Sequence, residues 1–90
     1  MIANFKNLKV EVAFEEFKEL DIRKVLGNVI HANTSDIGLD DVARAIYHSD
    51  GNIDISEEYA CQIVEFMKDN NCVLLAAVKK AVINELTVKG

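Results

Sequence analysis

The most apolar stretch of the sequence runs from Cys72 to Leu86. If it is helical, its apolar side chains cover well over half of the circumference. The polar exceptions after Val78 are Lys79, Lys80, Asn84 and Glu85. We therefore expect a helix over about 72–86 that is buried either at the centre of the fold or by a partner.

The same helix predicts self-association. Burying a large aliphatic side chain contributes about 1.5–3 kcal/mol, so leaving an apolar face of this helix in water would be costly. Ala77 and Ala81 are four residues apart, and their small side chains would let a second helix approach closely. The predicted interface between two copies consists of Leu74, Ala77, Val78, Ala81 and Val82.

Apolar and polar residues alternate near the amino terminus. The apolar positions are Leu8, Val10, Val12 and Phe14. A period of two is typical of a strand with one buried face. A weaker alternation follows over 15–20, which either pairs back on the first strand as a hairpin or begins a helix. Another short strand is predicted near 53–55.

Three segments in the middle of the chain have the apolar spacing of amphipathic helices. They cover about 22–32, 39–48 and 56–69, and the first two form a hairpin of helices. Asp21 and Ser56 are suited to cap the first and third helices, because their side-chain oxygens accept hydrogen bonds from free backbone amides.

Gly27 lies inside the first helix, where glycine is less favourable than alanine by about 1 kcal/mol. We expect another backbone to come close there, and a functional hinge is the alternative. The pattern as a whole predicts one domain over 1–90, α+β and mainly α. An amino-terminal β-hairpin, with a third short strand near 53–55, packs on four helices. A polar break at 69–71 precedes the last helix, and 87–90 is expected to fray.

The charge of the chain narrows the classes of partner. Fifteen acidic and ten basic residues give a formal charge of -5, which repels phosphate backbones and anionic lipid headgroups. The sequence has no export signal and no apolar run of membrane-spanning length, so we expect a cytoplasmic protein with Cys61 and Cys72 as reduced thiols. The acidic segment 36–69 is either a solvated surface or a docking surface for a basic partner.

One segment resembles half of a calcium-binding loop. Asp50, Gly51, Ile53, Asp54 and Glu57 match the second half of an EF-hand. In the first half, Ile46 and His48 stand where carboxylate ligands are needed. We therefore expect a helix-turn-strand connection and no calcium site.

The histidines and cysteines do not form a recognisable catalytic or metal-binding motif. His31 and His48 both fall in the last turn of a predicted helix, where a partly charged imidazole is favourable. Cys72 would need a base and an oxyanion donor beside it to act as a nucleophile. Neither can be named from the sequence. We expect no enzyme activity, no metal and no cofactor.

The helical pair at 22–48 invites comparison with a DNA-binding helix-turn-helix. Asp40 and Asp41 lie at the end of the second helix that would face the bases, and Arg44 is its only cation. A nucleic-acid-associated regulator is therefore the alternative hypothesis, and nucleic acid is not the expected partner.

Four short runs carry a family resemblance: Leu20-Asp21-Ile22, Gly27-Asn28-Val29-Ile30-His31, Asp36-Ile37-Gly38 and Ala45-Ile46-Tyr47. With them, residues 20 to 60 resemble small uncharacterised proteins of phages and prophages from gut bacteria. The resemblance implies a small cytoplasmic accessory or assembly protein and transfers no site. The leading hypothesis is a non-enzymatic protein–protein interaction module that works as a homo-oligomer or adaptor.

Overall fold

The computed structural model of the chain describes residues 1–69 and 72–87. This part of the chain consists of short strands and of four helices of similar length. The described residues form the strands β1 (Ile2–Asn4), β2 (Leu8–Ala13), β3 (Glu16–Leu20) and β4 (Asn52–Asp54). They also form the helices α1 (Arg23–Asn33), α2 (Ile37–His48), α3 (Glu57–Lys68) and α4 (Ala76–Thr87). The predicted α+β, mainly α class is confirmed. The predicted break at 69–71 and frayed end at 87–90 lie mostly outside the described residues.

The strands β2 and β3 form the predicted antiparallel hairpin, so the segment 15–20 is a strand and not the beginning of a helix. The register places Leu8 opposite Leu20 and Glu11 opposite Phe17. Beyond that point β2 has one extra residue before Ala13, which is a β-bulge. The regular part of the hairpin is therefore short.

The predicted third strand is β4, and it pairs antiparallel with β1 rather than with the hairpin. Ala3 lies opposite Ile53 in this second small sheet. The sequence did not predict β1, because three residues are too few to show a period of two. Ala3 and Ile55 are both buried, so the sheet fixes the start of the chain to the core.

The helices α1 and α2 pack against each other as the predicted helical hairpin, and Gly27 of α1 lies close to the backbone of α2. A Cβ atom built there would lie 2.9 Å from the carbonyl oxygen of Ala43 and 3.1 Å from Cβ of Tyr47. Both distances are shorter than ordinary van der Waals contact. The expected close approach of a second backbone is confirmed.

The start of α1 differs from the prediction, because Ile22 rather than Asp21 occupies the cap position. Asp21 accepts hydrogen bonds from the backbone N–H of Arg23 at 3.2 Å and from its guanidinium at 2.9 and 2.7 Å. The side-chain hydrogen bond from Arg23 contributes most to lowering the pKa of Asp21 to about 2. The same guanidinium donates to the carbonyl oxygen of Ser49, which ties the start of α1 to the end of α2.

The next two helices have side-chain caps. The carboxylate of Asp36 accepts from the backbone N–H of Gly38 at 2.8 Å, so α2 begins two residues earlier than predicted. Ser56 caps α3 as predicted, and its hydroxyl accepts from the backbone N–H of Tyr59 at 3.3 Å. Both caps satisfy amides that have no partner within the helix.

The last helix, α4, begins at Ala76 and not at 72 as predicted. Cys72 is buried, and its backbone N–H donates to the carbonyl oxygen of Asp69 at 3.1 Å, so the chain is anchored to the core before the helix starts. As a result Val73 and Leu75 lie outside the helix and are exposed. The helix itself is less apolar than the segment 72–86.

One hydrophobic core joins the helices to the inner face of β2. Its largest fully buried side chains are Phe5, Leu26, Ile30, Ile46, Ile55, Ile63, Met67, Val10 and Val82. Phe5 lies in the connection between β1 and β2, where no periodic pattern pointed to it. Its carbonyl oxygen accepts a hydrogen bond from the backbone N–H of Ile22 at 2.9 Å, which positions the start of α1.

Candidate interaction surface

The predicted interface residues lie on or just before α4 and differ in exposure. Ala81 and Val82 are buried in the protein's own core, so they offer little surface to a partner. Leu74, Ala77 and Val78 are half-buried against that core. The helix is thus covered in large part by its own chain, which is one of the two arrangements that its apolar sequence predicts.

The two histidines line one shallow groove of about 180 Å³ between α1 and α2. His31 and His48 stand in the last turns of these helices, as predicted. Nδ1 of His31 is hydrogen-bonded to the carboxylate of Asp40, and the ring of His48 packs edge-on against Tyr47 at 4.9 Å between centroids. Both imidazoles therefore have partners on α2.

The cysteines are separate from this groove. Cys72 is buried and Cys61 is exposed on α3. Within residues 1–69 and 72–87, no three histidine, cysteine or acidic side chains converge in a way that could hold a metal ion.

The segment that resembles half of a calcium-binding loop, residues 50–57, has a structural role in the fold. Gly51 has a positive φ of 145° in the turn between α2 and β4, which lies outside the left-handed helical region and is a conformation that residues with a side chain rarely adopt. Asp54 accepts a hydrogen bond from the nitrogen of Met1 at 3.1 Å, beside the sheet of β1 and β4. These residues connect α2 to β4 and α3.

The β2–β3 hairpin extends beyond the core and exposes aromatic side chains. Leu8 and Val10 are buried, but further along the same strand Val12 is 44% exposed. Phe14 in the turn is 94% exposed, and Phe17 on β3 is 61% exposed. We call residues 11–18 the arm. The alternation was interpreted as a half-buried strand as far as Phe14, but burial ends at Val10, where the strand runs past the edge of the core.

The turn of the arm is held by its own side chains. Glu15 has a φ of 65°, which is uncommon for a residue other than glycine. Its backbone N–H donates to the carboxylate of Glu11 at 2.8 Å. This hydrogen bond closes the turn and presents Phe14 at the tip.

A groove of about 470 Å³ separates the arm from α4. Val12, Phe14 and Phe17 line it on one side, and Ala77 and Ala81 line it on the other. The spacing of these two alanines predicts a place where a second helix approaches closely. The structure places them beside the arm, together with aromatic residues whose alternation in the sequence predicted only strands.

The lining of this groove also includes charged and polar side chains. Lys9, Glu11 and Lys80 line it together with Asn84. A lining that combines apolar, polar and charged side chains is compatible with a protein–protein interface.

Comparison of the chain with models of known protein families, with curated proteins and with solved structures found no match. Among the described residues, no helix is long and apolar enough to cross a lipid bilayer.

Proposed function

We propose that the protein is a non-enzymatic protein–protein interaction module that binds its partner through the arm. In line with the resemblance at residues 20–60, we propose a small cytoplasmic accessory or assembly protein from a phage or prophage. The observation that carries the proposal is the exposure of Phe14 and Phe17 on a hairpin that extends beyond the core.

Exposing the apolar side chains of the arm to water is unfavourable, so their exposure is explained only if another molecule covers them. Burying an aromatic side chain is worth about 1.5–3 kcal/mol, and Phe14 contributes almost none of this to the fold of its own chain. Aromatic side chains in a small apolar surface are the residues that most often dominate binding energy at interfaces. Phe14 and Phe17, with Val12 between the core and the tip, supply such a surface.

The charges favour a protein over nucleic acid as the partner. Asp36 caps α2 with its carboxylate, and Asp40 in the same turn is hydrogen-bonded to His31. A helix that begins with carboxylates repels the phosphates and the electronegative base edges of DNA. The arm has both lysine and glutamate, which suits a protein surface with mixed charge.

Site-specific photo-crosslinking tests the proposal. A photoreactive phenylalanine analogue at position 14 should form covalent protein adducts in cells that produce the protein. The matched control carries the same analogue at position 37, because Ile37 is 81% exposed but lies at the start of α2. We expect adducts from position 14 and few or none from position 37. The proposal fails if position 14 forms no adducts or if both positions give the same nonspecific pattern.

A further inference from the structure

The outer edge of β3 is open. β3 pairs with β2 along one of its edges, and α4 packs against β2. The opposite edge of β3 has no strand beside it in the described part of the chain. Glu16 to Glu19 are all exposed, and only Leu20 is half-buried. The bulge of the hairpin lies in β2, so it does not interrupt the outer edge of β3. An open, regular edge is a template for the addition of another strand.

Symmetry restricts how a second copy could add to this edge. Two identical antiparallel strands are related by a twofold axis perpendicular to the sheet, so residues opposite each other lie on the same face. The twofold axis must then pass beside one residue, which faces its own counterpart. Within β3 the central candidates are Phe17, Lys18 and Glu19.

Charge selects among these registers. If the axis lies at Lys18, two lysines face each other and Phe17 faces Glu19 of the second copy. If it lies at Glu19, two carboxylates face each other. If it lies at Phe17, the two aromatic rings face each other, and Glu16 of each copy faces Lys18 of the other. Like charges directly opposite are unfavourable, whereas opposite charges and aromatic pairs are favourable.

The register centred on Phe17 also agrees with the local backbone. One residue further out, Glu15 would face Glu19 of the second copy, which would be a repulsive pair. Glu15, however, is in the turn with a φ of 65° and lies outside β3, so the ladder ends at Glu16. The pairing is short, and it covers the exposed ring of Phe17 in both copies.

We propose that a second copy of this chain is the partner of the arm, and that the two β3 strands pair antiparallel about Phe17. The product is a four-stranded antiparallel sheet with two ion pairs between Glu16 and Lys18. This inference rests on the proposed function and specifies its partner. It differs from the helix-mediated dimer expected from the sequence, because the contact is made by strand edges and not by α4.

Charge reversal tests the register. Glu16→Lys places two lysines opposite each other at both ion pairs, and Lys18→Glu places two glutamates there. Each single variant should weaken self-association roughly tenfold in Kd, measured by sedimentation velocity at low salt. The double variant Glu16→Lys with Lys18→Glu exchanges the charges and should associate like the original protein.

Mixing provides the decisive control. When the two single variants are mixed in equal amounts, a lysine of one chain faces a glutamate of the other at both former ion pairs. A heterodimer should therefore form at the original strength. Mixing introduces no further substitution into either variant. Association that is recovered on mixing therefore cannot be attributed to a change in folding. Circular dichroism and thermal melting of each single variant verify that both are folded.

Three results would overturn the inference. These are a wild-type protein that stays monomeric at its highest soluble concentration, a dimer that is insensitive to both single charge reversals, and single variants that do not associate when mixed. Adducts between position 14 and a different protein would leave the proposed function intact while refuting self-pairing. No adducts at position 14 would refute the proposed function, whereas self-pairing is decided by the sedimentation and mixing results.

Discussion

The close approach of α2 to Gly27 of α1 leads to a quantitative prediction for Gly27→Ala. The new Cβ would lie 2.9 Å from a backbone oxygen of Ala43, which cannot rotate away as a flexible side chain could. It would also lie 3.1 Å from Cβ of Tyr47. Overpacking of this kind typically costs about 1–3 kcal/mol. Replacing a helical glycine with alanine contributes about 1 kcal/mol in the opposite direction.

The overpacking cost is expected to exceed the helix-propensity gain, because the two helices must move apart to accommodate the methyl group. We therefore expect the free energy of unfolding to fall by about 1 kcal/mol. For a domain of this size, that corresponds to a decrease in Tm of about 4–8 °C. Thermal melting followed by circular dichroism, together with urea unfolding, measures both quantities.

The matched control is Asn28→Ala, which changes the neighbouring exposed residue of the same helix. It improves helix propensity without a clash at the Gly27 contact, so it should leave stability unchanged or raise it by up to about 0.7 kcal/mol. If Gly27→Ala raises the Tm as much as Asn28→Ala does, the helices do not approach each other at Gly27 and the packing of the helical hairpin must be different.

Three further changes follow from burial and charge. Ile46→Ala removes a fully buried side chain and should reduce the free energy of unfolding by about 2–5 kcal/mol in urea titrations, whereas Ile37→Ala, at an exposed position of the same helix, should change it little. Asp21 has a pKa of about 2 in the folded protein because of its hydrogen bonds to a neighbouring guanidinium. Its stabilising contribution is therefore present above about pH 3.8 and is lost as the pH falls towards 2, so Asp21→Asn should flatten the dependence of stability on pH in that window. Cys61 should react with iodoacetamide in the folded protein, and Cys72 should react only on unfolding; equal rates for the two thiols under native conditions would contradict the burial of Cys72.

The positions of the helices and of the hairpin could be predicted from local patterns. The spacing of apolar residues located α1, α2 and α3 to within about two residues, and Ser56 marked the start of α3. Gly27 was a signal of close packing because a glycine inside an amphipathic helix needs a compensating contact. These features depend on the conformational preferences of a few neighbouring residues, which the sequence contains.

The candidate surface could be predicted only in part. Ala77 and Ala81 were recognised as small residues on an apolar helix, but their neighbours on the arm were not. The same alternation that predicted β2 would bury Phe14 as well as Leu8. Whether an apolar residue at the end of a strand is buried depends on how far the rest of the molecule extends over it, and this information is not local.

By itself, the amino-acid sequence determined the fold class, the helical hairpin and the approximate limits of most elements, because periodicity and capping act over a few residues. Tertiary structure decided that β1 pairs with β4, that α4 begins at Ala76 after the buried Cys72, and that none of the described strands pairs with the outer edge of β3. Each of these depends on contacts between segments far apart in the chain. The arm is the main consequence, since its exposure arises where the strands extend beyond the core.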